Sequence, residues 1–205
     1  MAIHGSSPRL SRGDLSRARL RQAAADELAA RQGVLEVESV AQRAEVSVGL
    51  IYRHFGSRAG LIEAVIEDFY SRYRADVLGI NPYPKGTWAE RERRRTALGV
   101  SFHYNEPLAR VILSHLHLDA QVAVYEAAQL DDMIMRCASV VLLGQKRGEL
   151  PRDRDANLAG AMIIGGMRRT LATVLTQDRL PRESKVVHDL WLFIAGTVGI
   201  DPQQP

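Results

Sequence analysis

Apolar residues recur at three- and four-residue steps along nearly the whole chain. No run alternates strictly over the length of a strand, so the pattern predicts helices throughout. Leu20, Ala24 and Leu28 step by four, and Gly33 follows as a stop. Val37, Val40, Ala41 and Ala44 fill the i, i+3, i+4, i+7 positions of a two-turn helix. Ile51 and Phe55 resume the stripe after a break, and Leu61, Ile62, Val65, Ile66 and Phe69 extend it. GINPYPKGT, residues 79–87, holds two prolines and two glycines and is a loop. Further helices are expected over Trp88–Tyr104, Pro107–His117, Val122–Arg147, Ala156–Thr176 and Arg182–Val198, with Pro107 suited to a first helical turn. The fold class is therefore all-α.

With 205 residues, 46% hydrophobic and 25% charged, the chain is expected to form one or two soluble globular domains. Cys137 is the sole cysteine, so no intrachain disulfide can form, which suits a reducing compartment. No run of 18 or more apolar residues appears, so no membrane span is expected. The N-terminal MAIHGSSPRLSRGD lacks the apolar region of a signal peptide, and the expected location is the cytoplasm. The net charge of +3 is unevenly placed. Residues 1–58 carry nine arginines against six acids, whereas residues 59–205 carry eighteen basic and eighteen acidic side chains. A basic surplus in the first quarter fits a polyanionic partner, and chance fits so small an excess equally well. ERERRR, Glu90 to Arg95, reads as a solvated helix face with local ion pairs.

The chemistry concentrates in AEVSVGLIYRHFGSR, Ala44 to Arg58. Two short helices, Val37–Ala44 and Val48–His54, joined by Glu45, Val46 and Ser47, have the dimensions of a helix-turn-helix. Ser47 is placed to cap the second helix through its side-chain oxygen, and the free N–H groups there favour phosphate. Ile51 and Phe55 would pin that helix on the core, leaving its other face for a DNA major groove. Tyr52, His54 and Arg58 carry groups that bond phosphate oxygens, and Arg53 is equipped to read a guanine edge. Spacing alone is also compatible with a plain helical hairpin in which Tyr52 and His54 merely pack.

SVAQRAEVSVGLIYRHFGSRAGLIEAV, Ser39 to Val65, closely resembles the DNA-binding domain of TetR-family transcriptional repressors. That family's signature runs I-A-x-x-A-G-V-S-x-x-x-L-Y-x-H/Y-F-x-S/N-K-x-x-L. Val40-Ala41, Ala44, Val46-Ser47, Ile51-Tyr52, His54-Phe55, Ser57, Arg58 and Leu61 match it or substitute conservatively. LRQAAADELAARQG, Leu20 to Gly33, resembles the family's first helix. The resemblance implies that Ser47, Val48, Gly49 and Leu50 enter the groove. It implies that Tyr52 and His54 hold phosphate, and that Arg58 stands where a lysine caps the fourth helix against the DNA backbone. Three positions depart from the pattern. Glu45 replaces a turn glycine, which costs roughly 1–2 kcal/mol if the position is left-handed. Val48 and Leu50 replace residues that are often polar; they can touch thymine methyls but cannot hydrogen-bond a base. Glu36 replaces a Ser or Thr and serves as a helix-start residue rather than a phosphate contact.

The expected organisation is a flexible basic arm over residues 1–13, a three-helix helix-turn-helix domain over 14–58, and a helical bundle over 59–205. In the arm, Arg9 and Arg12, with Arg17, Arg19 and Arg21 beyond, either track a minor groove or form a solvated tail. For the bundle the resemblance implies a small-molecule pocket and dimerisation. A hydrophobic effector is expected against Phe102, His103, Tyr104, Leu116, Tyr125, Met133, Cys137 and Met167, because Met and aromatic side chains suit an adaptable apolar pocket. Core packing would account for each of these as well. The homodimer is expected through the last two helices, by Leu158, Met162, Gly165, Gly166 and Arg169 on one and Leu190, Ile194 and Thr197 on the other, with Trp191 and Phe193 beside them. Such a dimer matches double-stranded DNA carrying an inverted-repeat operator.

His115 and His117 lie two apart, which places them on different sides of a helix, so no metal is expected there. No glycine-rich phosphate loop, nucleophile elbow or zinc-ligand run occurs, so neither catalysis nor a cofactor is expected. A helical enzyme assembled only in three dimensions, and a protein-interaction adaptor, are the rival classes.

Overall fold

A computed structural model describes residues 12–114 and 120–203. Among these the regular elements are all helical: α1 Arg12–Ala30, α2 Val37–Arg43, α3 Val48–Phe55, α4 Arg58–Tyr73, α5 Trp88–Asn105, α6 Ala109–Ser114, α7 Ala120–Lys146, α8 Ala156–Leu175 and α9 Glu183–Val198. A single π turn, Arg74–Leu78, continues α4. The chain divides into two compact units between Val65 and Ile66, within α4.

In the first unit, the expected stripes form the core. Leu20, Ala24 and Leu28 of α1, Val40 and Ala41 of α2, Ile51 of α3 and Leu61, Ile62 and Val65 of α4 are all buried. Both α1 and α2 end in a Schellman arrangement, in which backbone N–H groups past the helix satisfy its last carbonyls. After α1, Gly33 N–H donates to the Leu28 carbonyl at 2.9 Å. After α2, Val46 N–H donates to Ala41 at 3.0 Å and Glu45 N–H to Gln42 at 3.1 Å. The left-handed residue in each case is not glycine: Gln32 has φ 51° and Glu45 φ 54°. Buried Glu27 joins the two helices. Arg43 donates to its Oε2 at 3.2 Å, and Arg31 Nε lies 3.1 Å from Oε1 as an ion pair.

In the second unit, α5 starts with a capping box. Thr87 Oγ1 accepts from Glu90 N–H at 3.2 Å, while Glu90 Oε2 accepts from Thr87 N–H at 2.8 Å. Asp155 caps α8 by accepting from the N–H groups of Asn157 and Leu158. α7 packs closely on α8 because Gly160 carries no side chain: a Cβ there would lie 2.9 Å from both Ala138 N and Ile134 O. At its centre Arg168 of α8 donates to Tyr70 of α4 (3.1 Å), to the Ile112 carbonyl of α6 (3.1 Å) and to Glu126 of α7. Burial and the neighbouring guanidinium act in opposite directions on the Tyr70 hydroxyl, and burial prevails, raising its pKa.

Several expectations are corrected here. Leu190 and Ile194 are only 2% and 3% exposed and, like Trp191, belong to this chain's own core rather than to an interface. Trp191 Nε1 also donates to the Pro202 carbonyl. Gly166 is filled by the ring of Phe193 from the same chain: a Cβ at 166 would approach that ring to 2.5 Å. Periodicity marks that a helix has an apolar face, but not which neighbour covers it. α6 begins at Ala109, with Pro107 in the preceding turn, and the expected end of that helix, with His115 and His117, lies outside the described residues. α1 starts at Arg12, inside the stretch expected to be a flexible arm, while Arg9 lies outside the described residues. α8 is long and apolar enough to cross a membrane by length and composition, yet it carries Arg168 and Arg169 and buries one face in the bundle.

Removing one partner of a buried ion pair leaves the other charge desolvated and unanswered. Arg168→Ala should therefore lower unfolding stability by about 3–5 kcal/mol, and Arg168→Met combined with Glu126→Met should recover most of that loss. Urea denaturation followed by circular dichroism measures both.

Candidate functional site

α3 presents two faces. Ile51 is fully buried, whereas Tyr52 is 46% exposed and Arg53 is exposed. Ser47 stands at the N-cap position with extended backbone, φ −76° and ψ 149°, but its hydroxyl makes no cap bond, contrary to expectation. Gly49 is exposed, and Val48 and Leu50 are half-buried beside it. Phe55 is half-buried rather than a core pin, and Arg17 lies 5.5 Å from its ring centroid as a cation–π contact. His54 is half-buried against Phe55.

Three of the charged groups read from sequence hold the fold together. Arg58 Nε donates to the Leu35 carbonyl at 2.9 Å, which fixes the start of α4 to the approach to α2. That bond corrects the expectation that Arg58 is simply turned outward to phosphate. Arg19 donates to the Ala44 carbonyl at 3.0 Å, closing the C-terminus of α2. Glu36, the N-cap residue of α2, makes no cap bond and pairs with Arg31 at 2.5 Å instead.

The second unit contains a cavity of about 480 Å³, within the range of small-molecule sites. Met133, Cys137 and Met167 are among its lining residues. Apolar walls also come from Leu78, Trp88, Val140, Val141, Ile163, Ile164 and Ile194. The other expected lining residues lie elsewhere. Phe102 stacks edge-on with Phe69 and Tyr73. Tyr104 donates to the Pro181 carbonyl, and Tyr125 to Glu67. His103 borders only a small neighbouring pocket, its Nδ1 donating to the Gly99 carbonyl at 2.7 Å. Burial lowers its pKa, so it stays neutral. Leu116 lies outside the described residues.

Sequence reading missed the polar wall, to which the supposed solvated run contributes two charged residues. Glu92 and Arg95 of α5 line the cavity, with Tyr73, Arg74 and Thr96. Arg95 Nε donates to both oxygens of Glu92, at 3.0 and 3.3 Å, and its NH1 holds the carbonyls of Val77, Leu78 and Ile80. One guanidinium therefore closes the π turn after α4 and forms part of the cavity wall. Arg91 also turns inward, to Glu149, while Arg94 stacks 4.0 Å over Tyr83. Burial pushes the Cys137 thiol up to about 12, so it behaves as an inert wall atom. The i, i+4 step from Glu92 to Thr96 puts both on one face of α5, a signal that charge density concealed.

Of the residues expected at a dimer interface, Leu158 (61% exposed), Met162 (57%), Gly165 and Arg169 do lie on the surface of α8. Thr197 is half-buried, its hydroxyl donating to the Phe193 carbonyl. Exposed Leu192 and Phe193 on α9 add to the outward apolar area. A Cβ at Gly165 or Gly196 would meet nothing within 4 Å.

Among the described residues, a helix-turn-helix unit is followed along the chain by an all-helical bundle that holds a cavity. The model of the bacterial regulatory proteins of the tetR family matches residues 23–65. The HTH-type transcriptional regulator BetI of Escherichia coli (strain K12 / DH10B) is 28% identical over 141 residues, covering 64% of this chain and 68% of BetI. Salmonella enterica GusR superposes with a TM-score of 0.76 at 18% identity, over 94% of this chain and 100% of GusR. FadR from Bacillus subtilis, solved in complex with stearoyl-CoA, superposes with a TM-score of 0.72 at 21% identity, over 87% and 98% of the two chains. Residues 23–65 thus resemble the helix-turn-helix segment of the tetR family, and the chain is similar to transcriptional regulators of that type. BetI is a transcriptional regulator rather than an enzyme, which weighs against the enzyme reading.

Glu45 is strained at φ 54° while the Schellman bonds around it hold the turn. Glu45→Gly should keep those bonds and raise stability by about 1 kcal/mol. Thermal unfolding of the variant measures this, and a lower melting temperature would contradict the strain.

Proposed function

We infer that the chain is a ligand-responsive repressor. It binds a double-stranded inverted-repeat operator as a homodimer in the cytoplasm and releases it when a small molecule with an apolar body fills the bundle cavity. The observation that carries this reading is the two-sided construction of α3. Ile51 anchors it, and the opposite side offers Tyr52 and Arg53, with the Ser47 hydroxyl at its start. Ser47, Gly49, Tyr52 and His54 position the protein on phosphate, Val48 and Leu50 touch apolar base edges, and Arg53 reads a base. Arg58 contributes chiefly by fixing the start of α4.

Functionally, residues 14–58 read DNA, and 59–205 sense the effector and dimerise. The cavity supports the effector role, and the FadR complex with stearoyl-CoA supplies a precedent for a ligand within this fold. A ligand that prefers the conformation DNA disfavours weakens DNA binding, and DNA weakens the ligand by the same factor. Dimerisation is best supported by the outer face of α8 and α9. Leu158, Met162, Leu192 and Phe193 expose apolar surface there, with Gly165 and Gly196 leaving room for close approach. Two helices from each subunit would make a four-helix interface with two-fold symmetry, matching half-sites one helical turn or a multiple apart.

Selection of bound sequences from a random duplex pool tests the reading, with a palindromic consensus as the expected result. Arg53→Ala should cost about 1–3 kcal/mol of binding and relax one base position, whereas Tyr52→Phe should weaken all sites alike. Fluorescence anisotropy on the selected sites and on single-base variants separates the two. Met162→Glu should shift the sedimentation of the free protein from dimer towards the 22.7 kDa monomer while leaving its helical content intact. A wild type that already sediments as a monomer contradicts the dimer.

A further inference from the structure

The cavity wall is charged, yet each charge on it already has an opposite neighbour. Arg95 engages both oxygens of Glu92 and spends another nitrogen on three carbonyls at the end of α4. Arg74 pairs with Glu67 at 2.6 Å, and Arg136 with Asp132 at 2.7 Å. An anionic ligand would meet the Glu92 carboxylate with no unpaired cation to offset it. A cationic ligand would have to draw Glu92 away from Arg95, which stabilises the π turn. Burying either charge without a partner is unfavourable.

What remains unused on this wall is capacity for neutral groups. The Glu92 carboxylate accepts only from Arg95 among the described residues, and a carboxylate has about four acceptor sites. Tyr73 is 4% exposed and lines the same cavity, and its hydroxyl makes no hydrogen bond among the described residues. Around them the surface is apolar: Trp88, Met133, Val141 and Ile163. Burial raises the pKa of both Tyr73 and Cys137, and the nearby Glu92 charge adds to both in the same direction.

We propose that the cavity selects a neutral apolar molecule bearing a hydroxyl group, which donates to the Glu92 carboxylate while the hydrocarbon body lies against Trp88 and Met133. This inference rests on the reading of the cavity as the effector site. The Tyr73 hydroxyl supplies a second neutral contact on the same wall for a ligand long enough to reach it. Glu92 therefore acts as the specificity-determining residue, with Arg95 holding its carboxylate in place.

Isothermal titration calorimetry of the full chain with four probes of similar size tests this: para-butylphenol, butylbenzene, para-butylbenzoate and para-butylphenyl-trimethylammonium. The phenol should bind roughly tenfold more tightly than butylbenzene, and both charged probes should bind more weakly than butylbenzene. Glu92→Gln should weaken the phenol roughly fivefold and leave butylbenzene unchanged, since a hydrogen bond to a charged acceptor is about twice as strong as one to a neutral acceptor. Met133→Trp, which fills the cavity, should abolish binding of both. If the phenol gains nothing over butylbenzene, if a charged probe equals the phenol, or if Glu92→Gln leaves the phenol unchanged, the proposed selectivity is overturned while the cavity reading stands. If no probe binds, or Met133→Trp leaves binding intact, the effector-site reading falls and the proposal with it.

Discussion

Within the bundle, packing is organised around the Arg168 guanidinium. A cation largely withdrawn from water needs an anion and several acceptors. Arg168 finds them on three other helices: Glu126 of α7, Tyr70 of α4 and the Ile112 carbonyl of α6. Apolar side chains alone would let these helices slide, because dispersion contacts are individually weak and not directional. A guanidinium with five donors in a fixed plane admits few arrangements. The register of α8 against its neighbours is thereby specified, and Gly160 allows α7 to approach α8 backbone to backbone at that register.

Once α8 is fixed, its remaining faces acquire separate duties. Ile163, Ile164 and Met167 look into the cavity, and Gly166 receives Phe193 from α9. Leu158, Met162 and Gly165 are left outside, where no part of the described chain covers them. The same helix thus contributes to core, cavity and outer apolar face, which explains a composition so apolar that its length alone would suit a membrane.

This multiplicity also sets what the sequence could disclose. The helix-turn-helix was legible because it is local: a short turn, a few buried positions and the residues between them fix its geometry within about twenty positions of chain. The stop after α2 was legible too, since Glu45 occupies the turn position where a left-handed backbone is needed. The assignment of faces on the later helices was not. Leu190 and Ile194 recur on a helical stripe, but the periodicity of α9 is the same whether α5 and α8 or a second chain covers it. Phe102 and Tyr125 have the right chemistry for a pocket and point into an aromatic cluster and towards Glu67 instead. Conversely, Glu92 and Arg95 were concealed by the four other charges of ERERRR. Their inward turn depends on carbonyls at Val77, Leu78 and Ile80 that only tertiary structure brings to α5.

Those carbonyls tie the segment after α4 to the cavity wall. α4 commits its first turns to the core of the first unit through Leu61, Ile62 and Val65, and its last turns to the bundle through Phe69, Tyr70 and Tyr73. Its end is not an ordinary helix terminus but a π turn, a geometry that persists only where surrounding contacts compensate for its poorer bonding. Arg95 supplies that compensation, and Arg95 is also the partner of Glu92 on the cavity wall. Any ligand that takes part of the Glu92 carboxylate alters the same guanidinium that stabilises the π turn. Coupling requires differential interaction with two states of an element. The end of α4 is the element in this bundle whose stability and whose contact with the cavity pass through one side chain.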